Sequence, residues 1–287
     1  MEISCDRLSL SKIKTELKSL AFYRDLLAEL LTTFFLTLSA LSLGMTWGDK
    51  PYTGTVEQVG IGMMCTVCAL AWSLGEFGGI HMNPSVTLAL VLLSEITPSR
   101  ALIYLVIQCI AAMAGTKFIQ VVLPPLVTDH LKPTMLHPDV AEWQGFLIEG
   151  WLTFHLIFTV LGATDEKRKR DGYCIPPLII AMTVATCIGC GFVSTGSSMN
   201  PAMTFGAAVV TDIWDNHWLY WVGPLSGSFL ATLLYKFVFD ILDNSNEKTC
   251  RAKHCWPRSS YTTKQMSNNL YNGHKDSSDD NLETTWI

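Results

Sequence analysis

The chain is 287 residues long, 49% hydrophobic and only 16% charged, with a formal net charge of −5 and a mean hydropathy of +0.29. Soluble domains carry roughly 25% charged residues. The composition therefore excludes an ordinary soluble enzyme, and with no excess of basic residues it argues against a nucleic-acid partner; what remains is a membrane protein.

Residues 1–23 read as a polar cytoplasmic segment. Leu10, Ile13, Leu17 and Leu20 share one helical face with Lys12, Lys14 and Lys18 interleaved, which fits an interfacial helix on an anionic leaflet and equally a solvated leader. No cleavable signal peptide is expected, because the first apolar run begins only at about Arg24. Six windows then reach the ~20 residues that cross a ~30 Å hydrocarbon core at 1.5 Å per residue. They run from Arg24 to Thr46, Val56 to Gly75, Arg100 to Val122, Glu142 to Ala163, Pro176 to Val193 and His217 to Leu242. The apolar runs Pro84 to Leu93 and Pro201 to Val210 are too short to span, so each is expected to be a half-helix that re-enters the membrane. Beyond the last span, Asn244 to Ile287 is rich in Asn, Ser and Asp and is expected to be a disordered cytoplasmic tail.

The two half-helices begin with the same words. Asn83-Pro84-Ser85 and Asn200-Pro201-Ala202 each follow a Met and each precede a Thr at the same offset, Thr87 and Thr204. Asn suits the cap of a helix and Pro its first position. Glu29 and Glu149 likewise sit in the first span of each half. The chain is therefore read as a duplication with halves of about 24–125 and 140–243 inside a domain of 24–243. Three spans per half force the repeats into opposite orientations, so the half-helices enter from opposite faces and their N-termini meet at the midplane. Each N-terminus presents about +0.5 charge, and each Asn adds an amide donor to the lumen. Backbone carbonyls of Gly78 to Met82 and Thr195 to Met199 are expected to supply acceptors along an otherwise apolar lumen.

An acid inside a bilayer costs several kcal/mol unless paired. Glu29 and Glu149 have no basic partner in the pattern and are read as acceptors that anchor the re-entrant loop of their own half rather than as a proton relay. Lys and Arg cluster before the first span, in Lys167 to Arg170, and from Lys236 onward, whereas the opposite loops hold only Lys50 and Lys132. By the positive-inside rule both termini and the loop Thr164 to Tyr173 are cytoplasmic. Cys65 and Cys68, like Cys187 and Cys190, lack the further partners of a zinc site and are read as core packing. His81 is read as a hydrogen-bonded loop residue rather than a titrating gate, and His155 as facing a polar group on a neighbouring helix. No nucleophile-base constellation, cofactor motif or metal cluster is visible, so neither an enzyme nor a cofactor is expected.

With these stretches in place the chain resembles the aquaporin (major intrinsic protein) family from roughly Tyr23 to Asp243. The carrying residues are Ala28-Glu29, Gly79 to Leu88, Ala163-Thr164-Asp165, Ser198 to Ala202, Thr204-Phe205-Gly206 and His217 to Pro224. The resemblance implies an all-α membrane protein of six transmembrane helices plus two re-entrant half-helices in an inverted repeat, assembled as a homotetramer with a pore in each subunit. Thr204 where glycerol-type members carry an acid, together with Ala208 and Tyr220-Trp221, matches the water type. The resemblance places Met63, Ile188, Ser197 and Met203 at the four selectivity-filter positions, where water-selective relatives have an aromatic, a His and an Arg. None of the four is charged or aromatic. The expected function is passive passage of water, with urea, glycerol or ammonia as further solutes; the alternative is a poorly conducting adhesion or scaffolding protein of the same fold. The first motif reads Asn-Pro-Ser, and its extra hydroxyl is expected to cap the half-helix locally. A plasma membrane is favoured over an intracellular one. The terminal Thr285-Trp286-Ile287 has the form of a PDZ ligand, with Ile287 for an apolar pocket and its carboxylate for a backbone nest.

Overall fold

The computed structural model describes residues 16–45, 54–78, 80–165 and 175–240. Most of the leader, the loop 166–174 and the tail with Thr285, Trp286 and Ile287 lie outside the described residues, so the interfacial-helix, disordered-tail and PDZ expectations are not addressed by it.

Among the described residues the architecture is entirely helical. The first half holds α1 (Leu20–Gly44), α2 (Val56–Leu74), the short α3 (Pro84–Leu92) and α4 (Pro98–Val122), followed by a single turn α5 (Pro125–Thr128). The second holds α6 (Glu142–Thr164), α7 (Pro176–Thr195), the short α8 (Pro201–Thr211) and α9 (Leu219–Leu234), which widens into a π-helical turn at Tyr235–Asp240. Six helices among the described residues are long and apolar enough to cross a membrane.

The caps follow from side-chain chemistry. Thr55 accepts from the Gln58 backbone while Gln58 reaches back to the Thr55 N–H, a closed capping box on α2. Thr97 caps α4 by accepting from Arg100 N, with Pro98 at the first helical position, so α4 starts two residues ahead of the expected Arg100. The first span starts at Leu20 rather than Arg24, because Arg24 and Asp25 are held inside the helical turn by ion pairs and not at its end. Arg100 donates to Asp25 at 2.5 Å and to Tyr104 at 3.0 Å, and it also pairs with Glu16. The last span begins at Leu219 rather than His217. Its π turn coincides with two ties, Tyr235 Oη donating to Asp165 at 2.6 Å and Lys236 Nζ donating to the final carbonyl of α3, Leu92, at 3.0 Å.

The packing pattern is symmetric between halves. α1 packs on α4 as α6 does on α9; α1 on α2 as α6 on α7; α4 on α8 as α9 on α3. α2 meets α7, and α3 meets α8, across the pseudo-two-fold. Between membrane helices there is no hydrophobic drive, so close approach requires small residues. Gly227 on α9 shows this: a Cβ there would overlap the Gly150 carbonyl of α6. Gly206 does the same for α8, since a Cβ would lie 2.5 Å from the Ala112 backbone of α4.

Candidate functional site

The half-helix starts are built by the chain segments that precede them. Met82 and Met199 both have positive φ, 55° and 51°. This left-handed backbone is costly for a non-glycine residue. It turns two consecutive N–H groups toward one point in each half, and a carboxylate receives them there. Glu29 accepts from His81 N at 2.9 Å and Met82 N at 2.6 Å; Glu149 accepts from Ser198 N at 3.0 Å and Met199 N at 2.8 Å. A third donor completes each anchor, Gln108 Nε2 on Glu29 and Thr195 Oγ1 on Glu149, both at 2.7 Å. Both glutamates are buried without a basic side chain bonded to them.

Each motif Asn does three jobs. Its Oδ1 caps its own half-helix, Asn83 accepting from Ser85 N at 2.8 Å and Asn200 from Ala202 N at 3.2 Å. One amide hydrogen crosses to the opposite half: Asn83 Nδ2 donates to the Met199 carbonyl at 2.8 Å, and Asn200 Nδ2 to the Met82 carbonyl at 2.7 Å. The second amide hydrogen remains for the lumen. The crossing bonds hold the two N-termini together. Part of the expected ladder of carbonyl acceptors also carries bonds within the protein, each such oxygen keeping a second lone pair. Met82 and Met199 accept from the asparagines, and the Thr195 carbonyl accepts from Tyr220 Oη at 2.8 Å.

The Ser85 hydroxyl does not cap α3. Asn83 already occupies that role, and Ser85 Oγ is buried without a hydrogen-bond partner among the described residues. Ser85 contributes instead through its carbonyl, which accepts from Ser228 of α9 at 2.6 Å. His81 Nδ1 lies 2.9 Å from Thr87 Oγ1, and Ser198 Oγ lies 2.6 Å from Thr204 Oγ1. The two bonds occupy equivalent places in the two loops. His155 faces Cys187 Sγ at 3.7 Å, so its neighbour is a thiol. Gln108, Ser228 and Thr134 are single polar residues that no local pattern marks; the shared offset of Thr87 and Thr204 is the signal the sequence carries.

A cavity of about 590 Å³ runs past both asparagines. Four helices line it with residues at every fourth position: Leu36, Ala40 and Gly44 of α1; Val59, Met63, Val67 and Ala71 of α2; Leu156, Val160 and Thr164 of α6; Ile180, Val184, Ile188 and Phe192 of α7. Such ladders face one direction along a helix, and 12 residues at 1.5 Å each extend about 18 Å. The cavity is therefore elongated along the helix axes. Met63, Ile188, Ser197 and Met203 all line it, together with Asn83 and Asn200. One mouth is framed by His130 to Met135, near Met203; the other lies beyond His81, near Ala71 and Thr164. Among the described residues no cluster of His, Cys, Asp and Glu could hold a metal ion.

The profile of the family described as "Major intrinsic protein" matches residues 16–235. Human "Aquaporin-4" is 36% identical over 223 residues, covering 76% of this chain and 68% of the relative. The "Lens fiber major intrinsic protein" of Ovis aries is 33% identical over 247 residues, covering 85% and 92%. Among solved structures, the X-ray structure of the aquaglyceroporin from Plasmodium falciparum is similar with a TM-score of 0.66 at 20% identity, covering 78% of this chain and 99% of that one. That last likeness speaks to the fold.

Proposed function

Because the chain belongs to the major intrinsic protein family, an integral multi-pass group whose members are channels for water or small solutes and not enzymes, we propose that it passes water through the cavity between its halves, with Asn83 and Asn200 as the central donors. The observation that carries this reading is the crossed pair of Asn amide bonds inside an elongated cavity. With one hydrogen of each amide fixed, the other two converge on a single water. That water must accept from both, so its own hydrogens point outward along the file and the donor-acceptor alignment needed for proton hopping is broken. The positive ends of α3 and α8 oppose cations at the same place.

Met63, Ile188, Ser197 and Met203 form an uncharged constriction on this reading, which extends the solute range to urea, glycerol or ammonia. Glu29 and Glu149 act as loop anchors. The protein is proposed to be a plasma-membrane homotetramer whose tail Thr285-Trp286-Ile287 engages a PDZ domain, with cytoplasmic termini that the distribution of Lys and Arg supports. The Met203 mouth is then extracellular.

Apolar ladders also favour dewetting, and they support the competing reading of a poorly conducting scaffold. Osmotic swelling of vesicles separates the two. Protein-containing liposomes should swell faster than empty ones, and Asn83→Leu or Asn200→Leu should remove most of the increment. Equal swelling with and without protein, across several pH values, decides for the scaffold.

A further inference from the structure

We propose that Lys132 sets the charge discrimination of the mouth beside Met203, depleting cations and gathering anions there while leaving neutral solutes unaffected. This rests on the channel reading. Three residues with ionisable side chains are among the described residues that line the cavity: His81, His130 and Lys132. No Asp, Glu or Arg does so. His81 is buried and its Nδ1 is tied to Thr87. Lys132 is thus the one permanent charge on the described wall, and the four filter residues around it are neutral.

The loop that carries Lys132 is fixed while its ammonium is free. Leu131 and Pro133 on either side are buried, and the Leu131 N–H donates to the Thr128 carbonyl at 3.0 Å. Two residues on, Thr134 Oγ1 lies 2.5 Å from Thr204 Oγ1, and Thr204 adjoins Met203 in the first turns of α8. Thr134 also packs on Gly196, where a Cβ would come within 3.1 Å of its methyl. Two residues of chain reach at most about 7 Å, so Lys132 is tethered to the filter through a short rigid path. The Lys132 side chain is exposed, and no carboxylate among the described residues pairs with it. An unpaired charge acts over a Debye length of about 8 Å at physiological salt, and low-dielectric walls focus its field into a narrow mouth.

The test reads the local potential directly. Met203→Cys protein in nanodiscs, open on both faces, is labelled with one cationic and one anionic thiosulfonate of similar size. Modification at position 203 is followed by peptide mass spectrometry, and each rate is normalised to that of a free thiol. The anionic-to-cationic ratio should fall about three- to tenfold on adding Lys132→Gln and further with Lys132→Glu. Lys132→Arg should hold it, and 1 M salt should collapse the difference. A ratio unchanged by all three substitutions overturns the assignment to Lys132 while leaving the channel reading intact. Failure of either reagent to reach Met203→Cys removes Met203 from an accessible mouth and overturns the proposal, while osmotic swelling decides the channel reading separately.

Discussion

At the scale of single residues, the proposed filter puts Met203 where it would decide which solutes the mouth admits. Its thioether is flexible and uncharged, and it lines the cavity with Ser197 and Ile188. Met203→Arg would place a fixed cation and a rigid fork of donors in that space. Urea, glycerol and cation uptake should fall in the variant while water flow persists. Uptake of all three that is already as low in the unsubstituted protein would show that the four neutral residues do not make a permissive constriction. The place of Met203 follows from Asn200, because only two residues, Pro201 and Ala202, intervene. Lys132 could not be found that way, because its loop reaches the cavity wall through tertiary contacts, Thr134 with Thr204 and with Gly196.

At the scale of elements, the half-helices depend on close crossings. α8 lies against α4 at Gly206 and Ala112, and α9 lies against α6 at Gly227 and Gly150. Since the nearest neighbours are backbone atoms and the Ala112 Cβ, no rotamer change can relieve an added side chain. Gly227→Val should cost about 3 kcal/mol or more and lower the thermal midpoint in detergent, whereas Gly189→Ala, where open space surrounds the Cβ, should change it little. Equal behaviour of the two variants would rule out tight packing of α6 on α9 as a source of stability. Helix existence was legible from length and hydropathy, and the six spans agree with the expected windows to within a few residues at most ends. The ends moved where side chains intervene: ion pairs draw Leu20 to Arg24 into α1, and Thr97 moves the start of α4 to Pro98.

At the scale of the whole molecule, Glu29 and Glu149 each clamp one loop, and the loops are joined by Asn83 to Met199 and Asn200 to Met82. Glu29→Gln or Glu149→Gln replaces a charged acceptor by a group that also points N–H at N–H. Each should destabilise by about 2–4 kcal/mol. Because the crossed bonds make the two clamps share one structure, the double variant should cost less than the sum, with a coupling of about 1 kcal/mol. Thermal or denaturant unfolding of the four forms measures it. Strict additivity would mean that the halves are held independently.

The sequence by itself determined the class, the six spans, the duplication and the two half-helix starts. Each of these is written in local composition or in spacing from Asn83 and Asn200, and such information does not depend on distant contacts. Only the tertiary structure decided where the remaining polar groups go. It assigned one hydrogen of each Asn to the other half, left Ser85 Oγ without a cap to make, and recruited Gln108 and Thr195 as the third donors of the glutamate anchors. Those outcomes follow from a buried polar group seeking a partner wherever the fold brings one within reach, and partners 79 or 116 positions away in the chain leave no trace in its local pattern.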